Sequence, residues 1–467
     1  MIAVPPVAEE LAAEFAAAGH RLYLVGGSVR DALLRRPVSD LDFTTDARPE
    51  QIVALLRAGL RGRHGPIWDT GIAFGTVGTM RGGYQVEVTT FRSDAYDRVS
   101  RNPVVAFGDT IEDDLRRRDF TVNAMAVELS GGGQHRFVDP FGGLAALATG
   151  ALDTPATPEE SFADDPLRML RAARFVSQLG LVPAPRVLTA MAEMAGQLAR
   201  ITRERVQTEL SKLITGAHPR RAIELMVDTG LAEDVLPEVP AMRLATDEHM
   251  QHKDVYAHSL AVLEQAIDRE GPGGPDLVLR LAALLHDIGK PDTRRKEPDG
   301  RVSFHHHEVV GAKMTRRRLR ELRYPKAVID EVSRLVFLHL RFHGYGTGEW
   351  TDSAVRRYVA DAGPLLDRLH KLVRSDSTTR NRRRAAALQR SYDSLEQRIA
   401  ALREKEELDA IRPDLDGNAI MELLGIPPGP LVGKAYRHLL ALRMERGPLE
   451  RDEAVAELRR WAAEQGD

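Results

Sequence analysis

The sequence predicts an α+β protein, with an N-terminal head built on a mixed sheet and an all-α neck and body behind it. Two observations carry this. Strand-like runs, Leu22–Val25, Ile72–Val77, Tyr84–Phe91 and Arg136–Val138, all fall before about residue 145. From about residue 160 they give way to helical patterns punctuated by Pro, Gly and Asp. A chain of 467 residues exceeds one hydrophobic core. The expected divisions are a head over 1–145, a helical neck over 146–240, a further domain over 241–385 and a helical tail over 386–467.

Composition narrows the class. Hydrophobic residues make up 43% and charged residues 28%, which describes a soluble globular protein. No apolar run is long enough to span a bilayer. The opening MIAVPPVAEELAAEFAAAG lacks a basic n-region and carries three Glu, so it reads as an amphipathic helix rather than a signal peptide. A cytoplasmic location is the expectation. With no Cys, disulfides, thiolate zinc sites and cysteine nucleophiles are excluded. A net charge of −3 argues against a uniformly basic nucleic-acid binder but permits basic stripes. Arg clusters at 116–118, at 316–318 with Arg320 and Arg323, and at 382–384 with Arg380.

The most informative stretch is Leu22-Tyr-Leu-Val-Gly-Gly-Ser-Val-Arg-Asp31 with Asp40-Leu-Asp42 after it. Four apolar residues read as a buried strand, and Gly26-Gly27-Ser28 as a tight turn into a short helix. Such a turn lets backbone N–H groups approach a phosphate. Asp40 and Asp42, two apart in an extended segment, point to one side. Paired carboxylates beside a phosphate cradle suit Mg²⁺ and favour metal-dependent phosphoryl or nucleotidyl transfer. In Tyr84–Phe91, Glu87 lies on the polar face, where it is either a third carboxylate or an exposed strand residue. Leu115–Ala126 holds Arg116, Arg117, Arg118, Asp119 and Asn123, which suit phosphate and ribose or form a solvated turn.

In Asp164–Arg174, Asp165, Arg168, Arg171 and Arg174 step by three and fall near one helical face. Asp165 is also a good helix cap before Pro166, and Gly180 closes that helix. An Asp acceptor beside an Arg donor can mimic a complementary base edge. Cytosine and adenine fit it, whereas guanine and uracil leave buried polar groups unmatched at about 1–3 kcal/mol each. In the second half, His258 lies in an amphipathic helix over 254–266, His286-Asp287 ends an apolar helix over 277–288, and Asp376 follows later. This is a divalent-metal arrangement, with His305, His306, His307, His339 and His343 as further candidates.

Together these pieces resemble the bacterial class II CCA-adding tRNA nucleotidyltransferase and poly(A) polymerase family, with an appended HD domain. The matching residues are Val25–Asp31 with Asp40-Leu-Asp42, Arg117–Ala124, Asp139-Pro-Phe-Gly-Gly143, Asp165–Arg174 and Glu204–Leu210. The HD signature covers roughly 250–380. The resemblance implies a polymerase-β-like head in which Asp40 and Asp42 bind Mg²⁺, with Glu87 as third carboxylate. It implies that Gly26, Gly27 and Arg30 meet the triphosphate, and Arg118 and Asp119, supported by Asn123, the sugar and phosphates. Asp165 and Arg168 become a protein template for CTP and ATP, with Arg171 and Arg174 fixing the nucleotide. His258, His286, Asp287 and Asp376 match ligands of a second divalent metal, with His307 and His339 at accessory positions.

The implied reaction adds CCA to tRNA 3′ ends, releasing pyrophosphate, with an accessory HD phosphohydrolase activity. Partial CC- or A-addition, poly(A) synthesis, and an HD phosphohydrolase with an RNA-binding head remain alternatives. The family commonly has Glu where this chain has Asp164, which bears on orientation rather than specificity. The segment from Asp94 to Pro103 is long enough for the mobile loop that full CCA synthesis requires. Residues 386–467 carry no informative motif.

Overall fold

The computed structural model describes residues 4–59, 66–68, 72, 75–93, 106–108, 110–243, 254–300, 302–342, 350–377, 382–406 and 411–465. The expected loop at 94–103 and His343 lie outside the described residues. The chain divides into two compact units, Met1–Val235 and Leu236–Asp467.

The first unit opens with α1 (Pro6–Ala17), started by a proline in its first turn, where no N–H partner is required. Val7, Ala8, Leu11, Ala12 and Phe15 bury one face of α1 against the sheet. The short helix α2 (Gly27–Leu33) and α3 (Pro49–Gly59) follow β1 (Leu22–Val25) and β2 (Asp40–Thr45). The remaining strands are β3 (Ile67–Trp68), β4 (Thr76–Arg81), β5 (Tyr84–Thr90), the ribbon β6 (Arg92–Ser93) with β7 (Ala106–Phe107), β8 (Ala126–Leu129) and β9 (His135–Val138). The main sheet has seven strands ordered β3-β4-β5-β2-β1-β8-β9. It is mixed, because β2 and β5 run parallel while the other pairs are antiparallel.

The four apolar residues of β1 have a simple cause. Leu22 and Leu24 enter the core under α1, while Tyr23 and Val25 enter a second cluster with Phe91, Ile111 and Leu115 on the opposite face. A strand covered on both sides loses its polar alternation. β2 keeps the alternation: Leu41 and Phe43 are buried, and Asp40 and Asp42 take the other face. The strand expected to start at Ile72 starts instead at Thr76, and Gly82 and Gly83, both at positive φ, turn it into β5.

Helices α4 (Ile111–Arg116) and α5 (Gly143–Thr149) flank the sheet. The neck helices are α6 (Pro158–Asp164), α7 (Leu167–Leu179), α8 (Pro185–Met194), α9 (Arg203–Ile214), α10 (Pro219–Asp228) and the single turn α11 (Ala232–Val235). α7 begins one residue later than the cap reading placed it, yet Asp165 Oδ1 still accepts the Leu167 N–H at 3.2 Å. Gly180, at φ +70°, terminates the helix as expected.

Among the described residues of the second unit, the regular elements are helices apart from the small ribbon Arg295–Lys296 with Val302–Ser303. It runs through α12 (Glu238–Ala241), α13 (Val255–Ile267), α14 (Leu277–Leu285), α15 (Lys290–Thr293), α16 (His307–Glu321), α17 (Lys326–Leu338), α18 (Asp352–Ala362), α19 (Leu366–Asp376), α20 (Arg382–Lys405), α21 (Gly417–Leu424), α22 (Pro430–Arg446) and α23 (Arg451–Glu464). The apolar helix expected to run to Ile288 stops at Leu285, so His286 and Asp287 occupy the turn beyond it. α21–α23 close on a core of their own, including Leu415, Ile420, Leu439 and Leu458. Buried Arg356 of α18 donates to Glu406 at 3.0 and 2.8 Å and to the Met444 and Glu445 carbonyls, fastening α18 to that bundle. No described helix is long and apolar enough to cross a membrane.

Trp68 is the only Trp of the first unit, the others being Trp350 and Trp461. In a Trp350→Phe/Trp461→Phe background, Trp68 fluorescence therefore reports unfolding of that unit. Leu24→Ala should cost it about 2–5 kcal/mol, read as a lowered urea midpoint, because a fully buried leucine leaves a cavity beneath α1.

Candidate active site and metal centre

The parallel register of β2 and β5 sets Asp42 directly across from Glu87, and Asp40 across from Gln85. Glu87 therefore stands on the same face as the two aspartates. Ser28, at the start of α2, donates to the Asp40 carbonyl at 2.9 Å and accepts the Asp42 N–H at 3.1 Å. One hydroxyl thus fixes the backbone on both sides of Leu41. Sequence reading saw only a turn there, although a Ser in a Gly-Gly-Ser turn before a carboxylate strand was the available signal.

Burial pushes the Asp42 carboxyl up, and the charges of Glu87 and Asp40 push it further, against the opposing pull of Arg118 and Arg30. Like-charged oxygens held together on one half-open face are the donor set of a hard dication. Gly26, at φ +71°, makes the approach possible. A Cβ there would lie 2.7 Å from Arg118 Nη1 and 3.9 Å from Asp42 Oδ2. Arg118 Nη2 also donates to Asp114 at 3.3 Å.

Arg30 is placed differently from a free phosphate ligand. It grips Asp31 through Nε and Nη2 at 2.9 and 2.8 Å, donates through Nη1 to Asn123 Oδ1 at 2.6 Å, and lies 5.2 Å from the Phe175 ring. Gly27, the first residue of α2, would bring a Cβ to 3.6 Å from Arg30 Nη2. Asp119 is buried. Its Oδ1 accepts the Phe120 N–H and Asn123 Nδ2, both at 2.9 Å, and its Oδ2 accepts Arg171 Nε and Nη2 at 2.9 and 2.5 Å. Burial alone would raise its pKa, but the charge of Arg171 and the bonds from Asn123 and Arg171 hold the carboxyl well below the usual range.

The Asp165–Arg174 row is assembled as the spacing required. Arg168 donates through Nη1 to Ser161 Oγ at 2.9 Å and through Nη2 to the Arg117 carbonyl at 2.7 Å. Asp165 Oδ2 accepts Arg205 Nη2 at 2.6 Å. Buried Glu209 faces Arg171 at 3.5 Å and Arg174 at 3.0 Å, and Arg174 lies 4.4 Å from the Phe175 ring. Burial lowers the Arg174 pKa to about 10, partly offset by Glu209. Glu209 stood inside a matched motif, but its partners lie some thirty-five residues away.

In the second unit the metal-type residues converge, in two sets. One is His258, His286 and Asp376; the other is Asp287, His307 and His339. Asp287 spans both: Oδ2 lies 3.2 Å from His286 Nε2 and Oδ1 lies 3.3 Å from His307 Nε2. His258 Nε2 and Asp376 Oδ1 are 2.9 Å apart. Outside the cluster, Nδ1 of His286, His307 and His339 lies 2.8, 2.8 and 2.6 Å from the carbonyl three residues back. Nδ1 must carry a proton to donate there, so Nε2 is the nitrogen aimed inward and the one available to a metal once it is free of its own proton. His307 and His339 thus turn toward the cluster in the same way as His286. Lys290, absent from the sequence reading, sets Nζ 2.6 Å from Asp287 Oδ2. His305 and His306 are exposed and stay outside.

A mixed sheet carrying three carboxylates, a helix with an aspartate-arginine row and a histidine-aspartate cluster together define a nucleotidyltransferase joined to an HD domain. Residues 22–153 match the Poly A polymerase head domain, 180–242 the probable RNA and SrmB-binding site of polymerase A, and 255–402 the HD domain. The chain is 34% identical over 449 residues to the A-adding tRNA nucleotidyltransferase of Deinococcus radiodurans, covering 94% of this chain and 95% of that one. It is 30% identical over 447 residues to the CCA-adding enzyme of Anoxybacillus flavithermus, covering 95% and 93%. The crystal structure of the Bacillus stearothermophilus CCA-adding enzyme in complex with CTP superposes with a TM-score of 0.68 at 27% identity, over 99% of this chain and all of that one. The chain belongs to the bacterial tRNA nucleotidyltransferase and poly(A) polymerase family, whose nucleotidyltransferase and HD parts generally use divalent metals.

The electrostatics of Asp42 give a signed expectation. In metal-free protein, Glu87→Gln removes a charge that raises the Asp42 carboxyl, so its titration, followed by carboxyl-carbon NMR, should move to lower pH. Arg118→Ala removes an opposing charge and should move it to higher pH. Unmoved midpoints would mean that the three groups do not share a field.

Proposed function

We propose that this protein completes tRNA 3′ ends by adding CCA from CTP and ATP, with release of pyrophosphate, in the cytoplasm. The observation that carries the reading is the union, in one compact unit, of the Asp40/Asp42/Glu87 face with the Asp165/Arg168 pair. Asp40, Asp42 and Glu87 would hold Mg²⁺, which when bound lowers the pKa of the attacking 3′-hydroxyl and stabilises charge on the triphosphate. Arg118, beside Gly26 and Asp42, is placed to neutralise phosphate oxygens. Asp165 accepts from the exocyclic amine of cytosine or adenine while Arg168 donates to the adjacent ring atom. Arg30, Asp119, Asn123, Arg171 and Arg174 act from beneath, holding these groups in place. Catalysis is positioning and charge stabilisation, with no covalent enzyme intermediate.

A second reading, addition of the terminal A alone, is favoured by the full-length similarity to the A-adding enzyme of Deinococcus radiodurans. The two separate in one experiment. Purified protein is incubated with Mg²⁺, CTP and ATP and with tRNA ending either before CCA or at CC, and the products are sequenced. Full CCA on the first substrate supports our reading; extension only of the CC-ended RNA supports the second. Asp40→Ala and Asp42→Ala should each abolish incorporation of every nucleotide while tRNA affinity in filter binding changes less than about twofold, since these groups act on the metal and not on the RNA.

The His258/His286/Asp287/Asp376 cluster, with His307 and His339, would hold a second divalent metal and support accessory phosphohydrolase chemistry. Its imidazole nitrogens suit a borderline metal better than Mg²⁺. His286→Ala should lower bound transition metal, measured by elemental analysis, and remove metal-dependent phosphatase activity on nucleotide phosphomonoesters. CCA addition should stay within about twofold, because the two sites use separate donor sets. Parallel loss of both activities would refute their independence.

A further inference from the structure

The base-reading carboxylate is held by a residue to which no role has been given. Asp165 closes α6 in an extended conformation (φ −143°, ψ 98°), so its side chain leaves the helix rather than packing along it. Two bonds then fix the carboxylate plane: Oδ1 accepts the Leu167 N–H at 3.2 Å, and Oδ2 accepts Arg205 Nη2 at 2.6 Å. With only the Leu167 bond, the terminal carboxylate torsion would be broad and close to two-fold.

Arg205 lies on α9, and Glu209, one turn further along the same face, pairs with Arg171 and Arg174. α9 therefore presents a positive and a negative charge, four residues apart, to a row on α7 and its approach that runs negative then positive. This is a complementary charge ladder, and Asp165 is its end rung. Ser161, held at 2.9 Å by Arg168, fixes the other half of the reading pair from the preceding helix.

We propose that Arg205 is a positioning residue for base choice, setting the orientation of the Asp165 carboxylate so that it accepts from an exocyclic amine and repels a carbonyl. This deepens the functional reading above and rests on it. A carboxylate with both oxygens anchored keeps lone pairs in fixed directions. A uracil or guanine carbonyl then meets an acceptor facing an acceptor, with no rotation available to relieve it. Loosening the carboxylate removes that rigidity, so the fitting base loses affinity and the misfit base is tolerated better. The Arg205 side chain is half exposed (51%), so direct contact with an RNA phosphate is the competing role.

The test measures kcat and KM for each of the four nucleotides on tRNA lacking CCA, or on CC-ended tRNA if the protein adds A alone, with Arg205→Ala and Arg205→Lys. Arg205→Ala is expected to raise KM for the correct nucleotide about ten-fold and to lower preference for C over U, or A over G, by about ten-fold. KM for tRNA should stay within about twofold, and Arg205→Lys should restore most of the preference. In an Asp165→Asn background, Arg205→Ala should add no further loss, because it acts through that carboxylate. Unchanged preference in Arg205→Ala, or a loss falling on tRNA KM, would overturn the inference while leaving the functional reading intact. Failure of the unmodified protein to extend either tRNA would overturn the functional reading and, with it, this one.

Discussion

The site depends on one buried carboxylate. Asp119 lies at the end of the arginine run that follows α4, within the head, yet its Oδ2 is held by Arg171 on α7, in the neck. Together with the bond from Arg168 to the Arg117 carbonyl, that link ties the head to α7. A buried ion pair of this kind is weak evidence for stability, since desolvation offsets most of its Coulomb gain. Its value is geometric. Breaking one partner leaves an uncompensated charge in a dry interface, so the alternative arrangements of α7 against the head are costly.

The pair does not stand alone. Asn123 bridges Asp119 to Arg30, Arg30 grips Asp31, Arg171 also faces Glu209, and Glu209 faces Arg174. Phe175 lies under three of these cations, 5.2 Å from Arg30, 5.8 Å from Arg171 and 4.4 Å from Arg174, and Phe120 meets it edge-on at 5.7 Å. Three guanidinium groups gathered around one ring would repel one another were it not for three carboxylates and the ring's negative face. The result is a stiff, charge-balanced network that protein partners alone hold in place.

Much of this was legible from periodicity, because periodicity reports which side chains share a face. The two-residue spacing of Asp40 and Asp42 and the three-residue steps from Asp165 to Arg174 needed no tertiary knowledge. Glu87 was ambiguous for the opposite reason: a strand's polar face is visible in sequence, but its neighbour is not, and only the β2–β5 register set Glu87 across from Asp42. The partners of Arg30 and Asp119 were not legible in the sequence. Charged residues are exposed by default, and their burial follows from partners 93 and 52 positions away. Arg205 and Lys290 escaped because a lone basic residue on a helix resembles every solvated one. The end of α14 at Leu285 was hidden by an apolar run that continues into the turn, where Ile288 is buried without being helical.

The two candidate metal positions differ in a way that bears on how one chain keeps two chemistries apart. On the head, the donors on offer are carboxylate oxygens on a strand face, which leave room for water and phosphate oxygens; a small hard dication is satisfied there and an imidazole-seeking metal is not. In the HD cluster, four imidazoles and two carboxylates converge, and the three buried or nearly buried rings His286, His307 and His339 are each turned by a backbone carbonyl at the third residue back. For His286 and His339 that lock is set by helix C-termini, since each lies just past the last residue of α14 or α17, among the carbonyls a helix end leaves without a partner. His307 instead opens α16 and uses the Phe304 carbonyl of the turn before it. The donor set on offer at each position is assembled within its own unit.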